Sequence, residues 1–401
     1  MDGYIYLDNA ATSFPKPEIV YSFMDNYYRK FGENPGRGGF DLCIEPGGII
    51  EDTRKLLTDF FNGSNPNRLC FSYNCTDAFN LIINGLLKKG DHAITTTLEH
   101  NAVLRPLYHK QIYEGVNIDY IPFDEKGFVH PEDIYKKFKS NTKLVIVNHV
   151  SNVLGTVQPI GEIGKFCKEN EIIFAIDASQ SAGRTPIDVE RQHIDIVVFT
   201  GHKSLLGPTG IGGLYVREGV KINHTRAGDT GIRSAIRTHL DDYPYRLEYG
   251  TPNIVGIAGL HAGVKWIQRK GISNIHKHEM QLTKLLQESL ANVEGLTTYC
   301  QDTTDNHIGV FSFNINEMEA VNTGTMLDND YGIACRTGLH SAPLAHNQLG
   351  THEIQGSVRL SIGPFNTESH IQWVIKAIKQ ILSFKNKQIY TEKSQELVTY
   401  E

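Results

Sequence analysis

The feature that most constrains the fold of this chain is a series of short apolar runs that alternate with helical stretches through the first 265 residues. Runs such as KLVIVNHVS and IDIVVFTG are rich in β-branched residues and bounded by polar or glycine turns. This pattern is typical of a mostly parallel sheet buried on both faces. In such sheets the ligand crevice lies at the carboxyl ends of the strands. The predicted strands cover 69–74, 92–97, 117–123, 143–151, 172–179, 194–201 and 210–216, and the helices between several of them cover 76–88, 131–139 and 161–170.

The pattern changes after about residue 265. A long helix around 279–293 precedes strand-like stretches at 308–315 and 357–362, and a final helix is predicted over 369–384. We therefore predict a large domain over 15–265 and a smaller α+β domain formed by 266–401 together with 1–14. The polar tail after residue 385 is expected to be a surface helix or disordered.

The composition excludes several classes of function. The formal net charge of −6 argues against nucleic acid or a membrane surface as a main partner. No window approaches the ~18 apolar residues of a membrane-spanning helix, and the first residues lack the features of a signal peptide. The 6 cysteines are scattered without a C-x-x-C pair, which suits a reducing compartment and gives no zinc motif. We expect a cytoplasmic protein without a metal site.

The segment FTGHKSLLGPTGIGGLYV (199–216) places Lys203 directly after a predicted strand. Its glycines have the wrong spacing for a dinucleotide loop, and they precede a strand rather than open a helix. Asp177 stands at the end of another predicted strand, in FAIDASQSAG. A lysine and a carboxylate at strand ends match the needs of a pyridoxal-phosphate site: the lysine forms a Schiff base, and the carboxylate keeps the pyridine nitrogen protonated. An ordinary surface lysine is the alternative.

Seven motifs occur in a fixed order along the chain: DNAATSFPKP, EHNAV, SNVLGT, IDASQS, TGHKSLLGPTGIGGLYV, YGTPN and RTGLHSAP. With these motifs the chain resembles the cysteine desulfurase and selenocysteine lyase family of class V aminotransferase-fold enzymes over nearly its whole length. The GHK and RTG-x-H-x-A forms are similar to the second group of that family, and NPGRGG and LHSAPLAH to a bacterial subfamily. The resemblance implies a fold-type I α/β architecture, pyridoxal 5'-phosphate as cofactor, and a homodimer.

The resemblance also implies roles around the cofactor ring. Lys203 would bind the cofactor and move the substrate Cα proton, and burial beside a cationic cofactor should lower its pKa. Asp177 would pair with the pyridine nitrogen. His100, otherwise an ordinary surface histidine, would stack on the ring. Gln180 and Asn152 would hydrogen-bond the phenolic oxygen, and Asn152 could also touch the substrate carboxylate.

A second set of residues would hold the phosphate. Thr76 opens a helix after a strand, where free backbone amides and a hydroxyl can bind an anion. Cys75 stands where the family often has threonine, so its backbone amide would serve instead. Thr200 and His202 would complete the cradle. Thr251, in YGTPN, would reach the phosphate bound in the neighbouring subunit.

On the substrate side, Arg359 matches the arginine that grips the amino-acid carboxylate, for which a forked guanidinium is suited. An ordinary salt bridge is the alternative role. Arg336 also lies near the predicted site. The segment ENPGRGGFDL (33–42) would be a substrate-side loop, in which Phe40 replaces a histidine of related enzymes and could alter what enters the pocket.

Ser341 occupies the position at which the resembling enzymes carry their catalytic cysteine. There the thiolate takes sulfur from the substrate as a persulfide, and a serine hydroxyl is too weakly acidic for that task. Three explanations remain: an introduced cysteine-to-serine change, a natural lyase that releases sulfide or selenide without a persulfide, or substitution by Cys335. Cys335 is better explained as a core cysteine.

The sequence as a whole predicts an enzyme that cleaves the Cβ–S bond of L-cysteine to alanine and transferable sulfur, impaired at Ser341. Partners would be L-cysteine or selenocysteine and a possible sulfur-acceptor protein. The alternatives are a selenocysteine lyase, a persulfide-independent C–S lyase, or a plain aminotransferase, because one fold can host several chemistries. A catalytically inactive partner of a sulfur acceptor is a further possibility, against which Lys203, Asp177 and Arg359 count.

Overall fold

A computed structural model describes residues 3–31, 44–301 and 303–398 of the chain. The predicted loop 33–42, with Phe40, lies outside the described residues. The helices are α1 (Glu18–Phe31), α2 (Ile44–Phe60), α3 (Cys75–Leu86), α4 (Asn101–Glu114), α5 (Pro131–Lys137), α6 (Ile160–Glu169), α7 (Ile254–Lys270), α8 (Ile272–Leu290), α9 (Ala320–Tyr331), α10 (Pro343–Gln348) and α11 (Glu368–Val398). The strands are β1 (Ile5–Tyr6), β2 (Leu69–Ser72), β3 (His92–Thr96), β4 (Asn117–Ile121), β5 (Thr142–Asn148), β6 (Ile173–Asp177), β7 (Ile196–Thr200), β8 (Gly212–Val216), β9 (Leu296–Thr298), β10 (Val310–Ile315), β11 (Ile333–Ala334), β12 (Arg336–Gly338) and β13 (Ser357–Ser361).

The central sheet has seven strands in the order β2-β8-β7-β6-β5-β3-β4. Only β8 runs against its neighbours, so the sheet is mostly parallel, as predicted. In β5, Val145 and Val147 enter the hydrophobic cluster on one face, whereas Leu144 and Ile146 enter the cluster on the other. Because side chains alternate along a strand, a sheet covered on both faces needs apolar residues at every position. This explains the uninterrupted apolar runs of the sequence.

A second, four-stranded antiparallel sheet has the order β12-β13-β10-β9. Its core is a separate hydrophobic cluster to which α8 and α11 contribute. The N-terminal strand β1 pairs with β11, and Leu7 is buried in the same cluster, so the N-terminal segment contacts this second sheet. The domain boundaries proposed above remain a prediction, and the strands of the two sheets fall on either side of residue 265.

Of the eleven helices in the described residues, five were predicted (α3, α5, α6, α8 and α11) and six were not, and α11 is longer than predicted. Helix α7, which was not predicted, contains Gly256, Gly259 and Gly263. A Cβ on Gly263 would collide with the carbonyl of Leu205, so the glycine lets α7 approach the loop that follows Lys203. Helix α1, which packs against α7, was also not predicted, and α11 runs to residue 398 rather than 384. Within the described part of the chain, no helix is long and apolar enough to cross a membrane.

Candidate functional site

The predicted site residues converge at the carboxyl ends of three adjacent parallel strands. Asn152 follows β5, Asp177 ends β6, and Lys203 follows β7. Helices α3 and α4 bring their N-termini to the same edge, and β13 of the second sheet contributes Arg359. One pocket is lined by Cys75, Thr76, His100, Asn152, Asp177, Gln180, Thr200, His202, Lys203, Ser341 and Arg359. Of the predicted residues with described positions, Thr251 lies outside this pocket and lines a neighbouring one.

Lys203 and Asp177 form the electrostatic centre of the pocket. Burial lowers the pKa of Lys203, and the nearby Asp177 carboxylate opposes that shift. The Asp177 carboxylate is held through Oδ1, which accepts the Ser179 N–H at 2.8 Å and contacts the Cys75 thiol at 3.7 Å. Burial and Asp177 raise the pKa of Cys75 well above its usual value, so this cysteine stays a thiol. The arrangement keeps a carboxylate fixed and a lysine easier to deprotonate.

His100 is fixed in position because it caps helix α4. Its Nδ1 accepts the Ala102 N–H at 3.0 Å, as an N-cap side chain does. Burial, together with the positive charge of Lys203, lowers the pKa of His100. The ring is therefore neutral at physiological pH and presents a flat surface in the pocket, as a stacking role requires.

The N-terminus of α3 forms the end of the pocket suited to an anion. Asn74 caps the helix by accepting the Asp77 N–H, and Cys75 and Thr76 occupy the first turn. A Cβ on Gly212 would lie 2.9 Å from the Cα of Asn74, so this glycine lets β8 pass close to the helix start. Free amides and the helix dipole make such a terminus favourable for phosphate.

Several buried polar atoms of the pocket have no hydrogen-bond partner among the described residues. They are Asn152 Oδ1, Gln180 Oε1, Thr200 Oγ1 and His202 Nδ1. A buried polar atom without a partner costs about 1–3 kcal/mol, so such atoms indicate a missing partner. Thr200 Oγ1 and His202 Nδ1 can donate to a phosphate, and the two amide oxygens can accept from a phenolic hydroxyl, so an aromatic cofactor with these groups supplies the missing partners. The residues present therefore fit pyridoxal 5'-phosphate.

Arg359 is anchored by the carboxylate of Asp8, to which the motif resemblance assigned no role. Its Nη2 lies 2.9 Å from Asp8 Oδ1, and its Nη1 donates to the Asn152 carbonyl at 3.0 Å. Asp8 Oδ2 pairs in turn with Arg336 Nη2 at 2.7 Å. Asp8 thus bridges the two arginines that line the pocket. Its charge offsets one of the two positive charges, which leaves a net positive wall that suits a substrate carboxylate.

Ser341 lies on a sharply turned loop at the pocket. His340 and Ser341 both have positive φ, at 48° and 56°, a conformation that is uncommon for residues other than glycine. The Asn101 N–H donates to the Ser341 carbonyl at 2.7 Å, and Asn152 Nδ2 donates to the His340 carbonyl at 2.8 Å. These bonds hold the exposed Ser341 against the same pocket as Lys203.

Comparison with known proteins now identifies the family, because the model of the family "Aminotransferase class-V" matches residues 5–374. The chain belongs to the class-V aminotransferase family. Members of this family and its cysteine desulfurases depend on pyridoxal 5'-phosphate, so the predicted fold class, enzyme class and cofactor are confirmed.

Relatives of this class-V aminotransferase span nearly all of it. The chain is 33% identical over 383 residues to a probable cysteine desulfurase of Methanothermobacter thermautotrophicus, covering 94% of each protein. It is 35% identical over 386 residues to a probable cysteine desulfurase of Pyrococcus abyssi, again covering 94% of each. The apo structure of the cysteine desulfurase from Thermococcus onnurineus NA1 is 34% identical, covers 95% of each chain and superimposes with a TM-score of 0.86.

Thr251 and Cys335 of this class-V aminotransferase do not line the pocket that holds Lys203. Thr251 lies in the neighbouring pocket together with Tyr249 and Asp229, and its role in a second subunit stays a prediction. Cys335 packs against the core of the second sheet. Burial, followed by the charge of Asp8, raises the pKa of Cys335 to about 12. These surroundings favour the interpretation of Cys335 as a core cysteine over that of a substitute nucleophile.

The sequence motifs assigned no role to Asp8, Asn74, Ser179 or Glu99, although Asp8, Ser179 and Glu99 lie within three of the motifs. Asn74 could have been found, since an asparagine directly before a predicted helix is an N-cap signal. Glu99 is fully buried beside His100, and its Oε1 accepts the Asn148 N–H and the Thr96 hydroxyl. Burial raises the pKa of Glu99 to about 8. Asp8 lies in the motif DNAATSFPKP, but its pairing with Arg359 could not be predicted because Arg359 lies 351 positions further along the chain.

Proposed function

We propose that this chain is a pyridoxal-phosphate enzyme that cleaves the bond between Cβ and sulfur, or selenium, in L-cysteine or a close analogue. The observation that carries the proposal is a single pocket in which Lys203, Asp177 and His100 face Arg359. The cysteine desulfurases among the relatives, which match nearly the whole chain, support the choice of substrate.

The pocket residues divide the work between binding and proton transfer. When bound, pyridoxal 5'-phosphate supplies an electron sink that labilises bonds at the substrate Cα and Cβ. Asp177, with Oδ1 already fixed by Ser179, would hold a proton on the ring nitrogen. Lys203, whose lowered pKa favours the neutral amine, would take and return the proton at the substrate Cα. Arg359 would bind the substrate carboxylate and so direct the side chain of the substrate towards Ser341.

Residue 341 decides what happens to the sulfur. Its place on the pocket wall supports its assignment as the position of the nucleophile in related enzymes. A hydroxyl does not form the thiolate needed to accept sulfur as a persulfide. As the chain stands, we infer that it does not store a persulfide at Ser341. A selenocysteine lyase or a persulfide-independent C–S lyase is therefore the second candidate, because selenide leaves with less help than sulfide.

The proposal extends to the surroundings of the enzyme. The position of Thr251 outside the pocket of its own protomer is compatible with a homodimer in which it serves the neighbouring subunit. A sulfur-acceptor protein would be required if cysteine is the substrate and sulfur is retained. The absence of C-x-x-C pairs and the scattered cysteines favour a cytoplasmic location.

The test is to identify the carbon product formed from L-cysteine and from L-selenocysteine by the chain and by its Ser341→Cys variant. Alanine from cysteine by the variant alone supports a desulfurase that lacks its nucleophile. Pyruvate, or alanine from selenocysteine, formed by the serine form supports a lyase that does not need the thiol. No product from either substrate with either protein, despite full cofactor loading, would contradict the proposal.

A further inference from the structure

Four donors from the N-terminal segment converge on one carbonyl oxygen, that of His202. The Ser13 N–H donates to it at 3.1 Å, the Thr12 hydroxyl at 3.0 Å and the Ser13 hydroxyl at 3.2 Å. The shortest contact comes from the ammonium of Lys16, whose Nζ lies 2.6 Å from the carbonyl oxygen. Lys16 Nζ also donates to Ser13 Oγ at 2.6 Å.

This carbonyl belongs to the peptide unit that leads into Lys203. A peptide unit is planar, so fixing the oxygen of residue 202 also fixes the nitrogen and Cα of residue 203. On the other side, the Lys203 carbonyl accepts the Leu206 N–H at 2.9 Å. Both peptide planes that flank the Cα of Lys203 are therefore held, and the first is held by residues that precede His202 by 186 to 190 positions.

Lys16 is the charged donor among the four and makes the shortest contact with the His202 carbonyl. It is half-buried, and burial lowers its pKa to about 8. No ion pair to Lys16 occurs within the parts of the chain that the structure describes, so its charge rests on neutral oxygen acceptors. A charge-assisted hydrogen bond is about twice as strong as a neutral one. The hydrogen bond from Lys16 therefore contributes a large part of the interaction that fixes the His202 carbonyl in place.

The same N-terminal segment also contacts the substrate side of the pocket. Asp8 pairs with Arg359, and the Ala10 carbonyl accepts Gln180 Nε2 at 2.8 Å. The Ala10 N–H donates to Ser361 Oγ at 2.8 Å on the strand that carries Arg359. Residues 8–16 thus run from the strand of the carboxylate-binding arginine to the turn of the reactive lysine.

We propose that Lys16 is a positioning residue: by binding the His202 carbonyl it aims the side chain of Lys203 into the pocket and, with Asp8 at the other end of the segment, sets the span between Lys203 and Arg359. The proposal rests on the proposed role of Lys203 and not on the identity of the substrate. It predicts that loss of the Lys16 charge impairs reactions of Lys203 without unfolding the protein.

The experiment measures how fast full-length protein, stripped of cofactor, captures added pyridoxal 5'-phosphate at Lys203, followed by the visible absorbance of the lysine-bound form. We expect Lys16→Met to slow capture about tenfold or more, as expected for a lost charge-assisted hydrogen bond. Lys16→Arg should remain within about threefold of the parent, and Lys16→Gln should fall between them, because glutamine donates without charge. Lys165→Met removes an exposed lysine of α6 and should change nothing.

Melting temperatures of the same proteins distinguish a loss of Lys203 orientation from a general loss of stability. Slow capture by Lys16→Met, with a melting temperature close to that of Lys165→Met and rescue by arginine, supports the proposal. Capture at the parent rate overturns it, and so does a loss that arginine fails to rescue. Absence of lysine-bound cofactor in the parent protein would instead overturn the proposed function, since Lys203 itself would then be misassigned.

Discussion

The bridge that Asp8 makes between Arg359 and Arg336 allows a quantitative prediction. The Arg359 side chain is only 3% exposed, and Asp8 is the one carboxylate paired with it in the described chain. Asp8→Asn removes the negative charge but keeps an oxygen that can still accept from Arg359. Breaking a buried pair from one side costs about 3–5 kcal/mol. We expect the lower end, about 3 kcal/mol, because the retained oxygen and the Asn152 carbonyl still bind the guanidinium.

The assay is thermal unfolding of the cofactor-free protein, with Asp25→Asn as the matched control. Asp25 pairs with Arg29 on the surface, where the two side chains are 60% and 76% exposed, and solvent screening leaves such a pair with little effect on stability. Asp8→Asn should therefore lower the melting temperature by several degrees and Asp25→Asn by about one degree or less. Equal effects of the two substitutions would refute the claim that Asp8 compensates a buried charge.

A ligand carboxylate should partly replace the missing one. With cofactor bound, L-alanine offers a carboxylate to Arg359 without a reactive side-chain bond. We expect added L-alanine to raise the melting temperature of Asp8→Asn more than that of the parent, because a ligand stabilises by its affinity for the folded state. An equal rise in both proteins would mean that Asp8 does not offset the positive charge that the substrate carboxylate meets.

Three further predictions concern the cofactor lysine, its carboxylate partner and the Ser341 loop. Because burial lowers the pKa of Lys203, cofactor capture should rise with pH and level off clearly below the ordinary lysine value of 10.5; a rate still rising at that pH would contradict this. Asp177→Asn should still bind the cofactor yet lose about 100-fold or more in turnover, because an amide does not hold a proton on the ring nitrogen; near-normal turnover would be the contrary result. Gly356→Ala should lower the melting temperature more than Gly350→Ala. Both glycines have positive φ, but only a Cβ on Gly356 would meet a neighbouring atom, the Gly338 carbonyl. Equal decreases in melting temperature would show that the clash with Gly338 does not cause the loss of stability.

The sequence predicted the central sheet well because burial on both faces leaves a strong local signal. The observed β6 and β7 lie within the predicted runs and end at Asp177 and Thr200, so the edge that carries the chemistry was predictable. Helix α7 was missed because its glycines serve tertiary packing, and a single sequence cannot distinguish a glycine needed for close approach from one needed for a turn. Elements whose residues are determined by their own local environment, such as the buried strands, can therefore be predicted from local sequence patterns.

The contacts that organise the site are not local, and these were not predictable. Asp8 and Lys16 belong to a short N-terminal stretch whose partners, Arg359 and the His202 carbonyl, lie hundreds and nearly two hundred positions away. Both lie in the motif DNAATSFPKP, which signals the resemblance but does not show which distant groups its residues contact. The motif resemblance predicted the residues that would touch the cofactor, whereas the roles proposed for Asp8 and Lys16 came only from the three-dimensional contacts.

The most direct test of the account is to locate the cofactor on the chain. The full-length protein would be mixed with pyridoxal 5'-phosphate, reduced with borohydride, digested and analysed by peptide mass spectrometry. We expect one pyridoxyl adduct, on Lys203, and none in a Lys203→Ala variant. An adduct on another lysine, or no adduct with the parent protein, would contradict it.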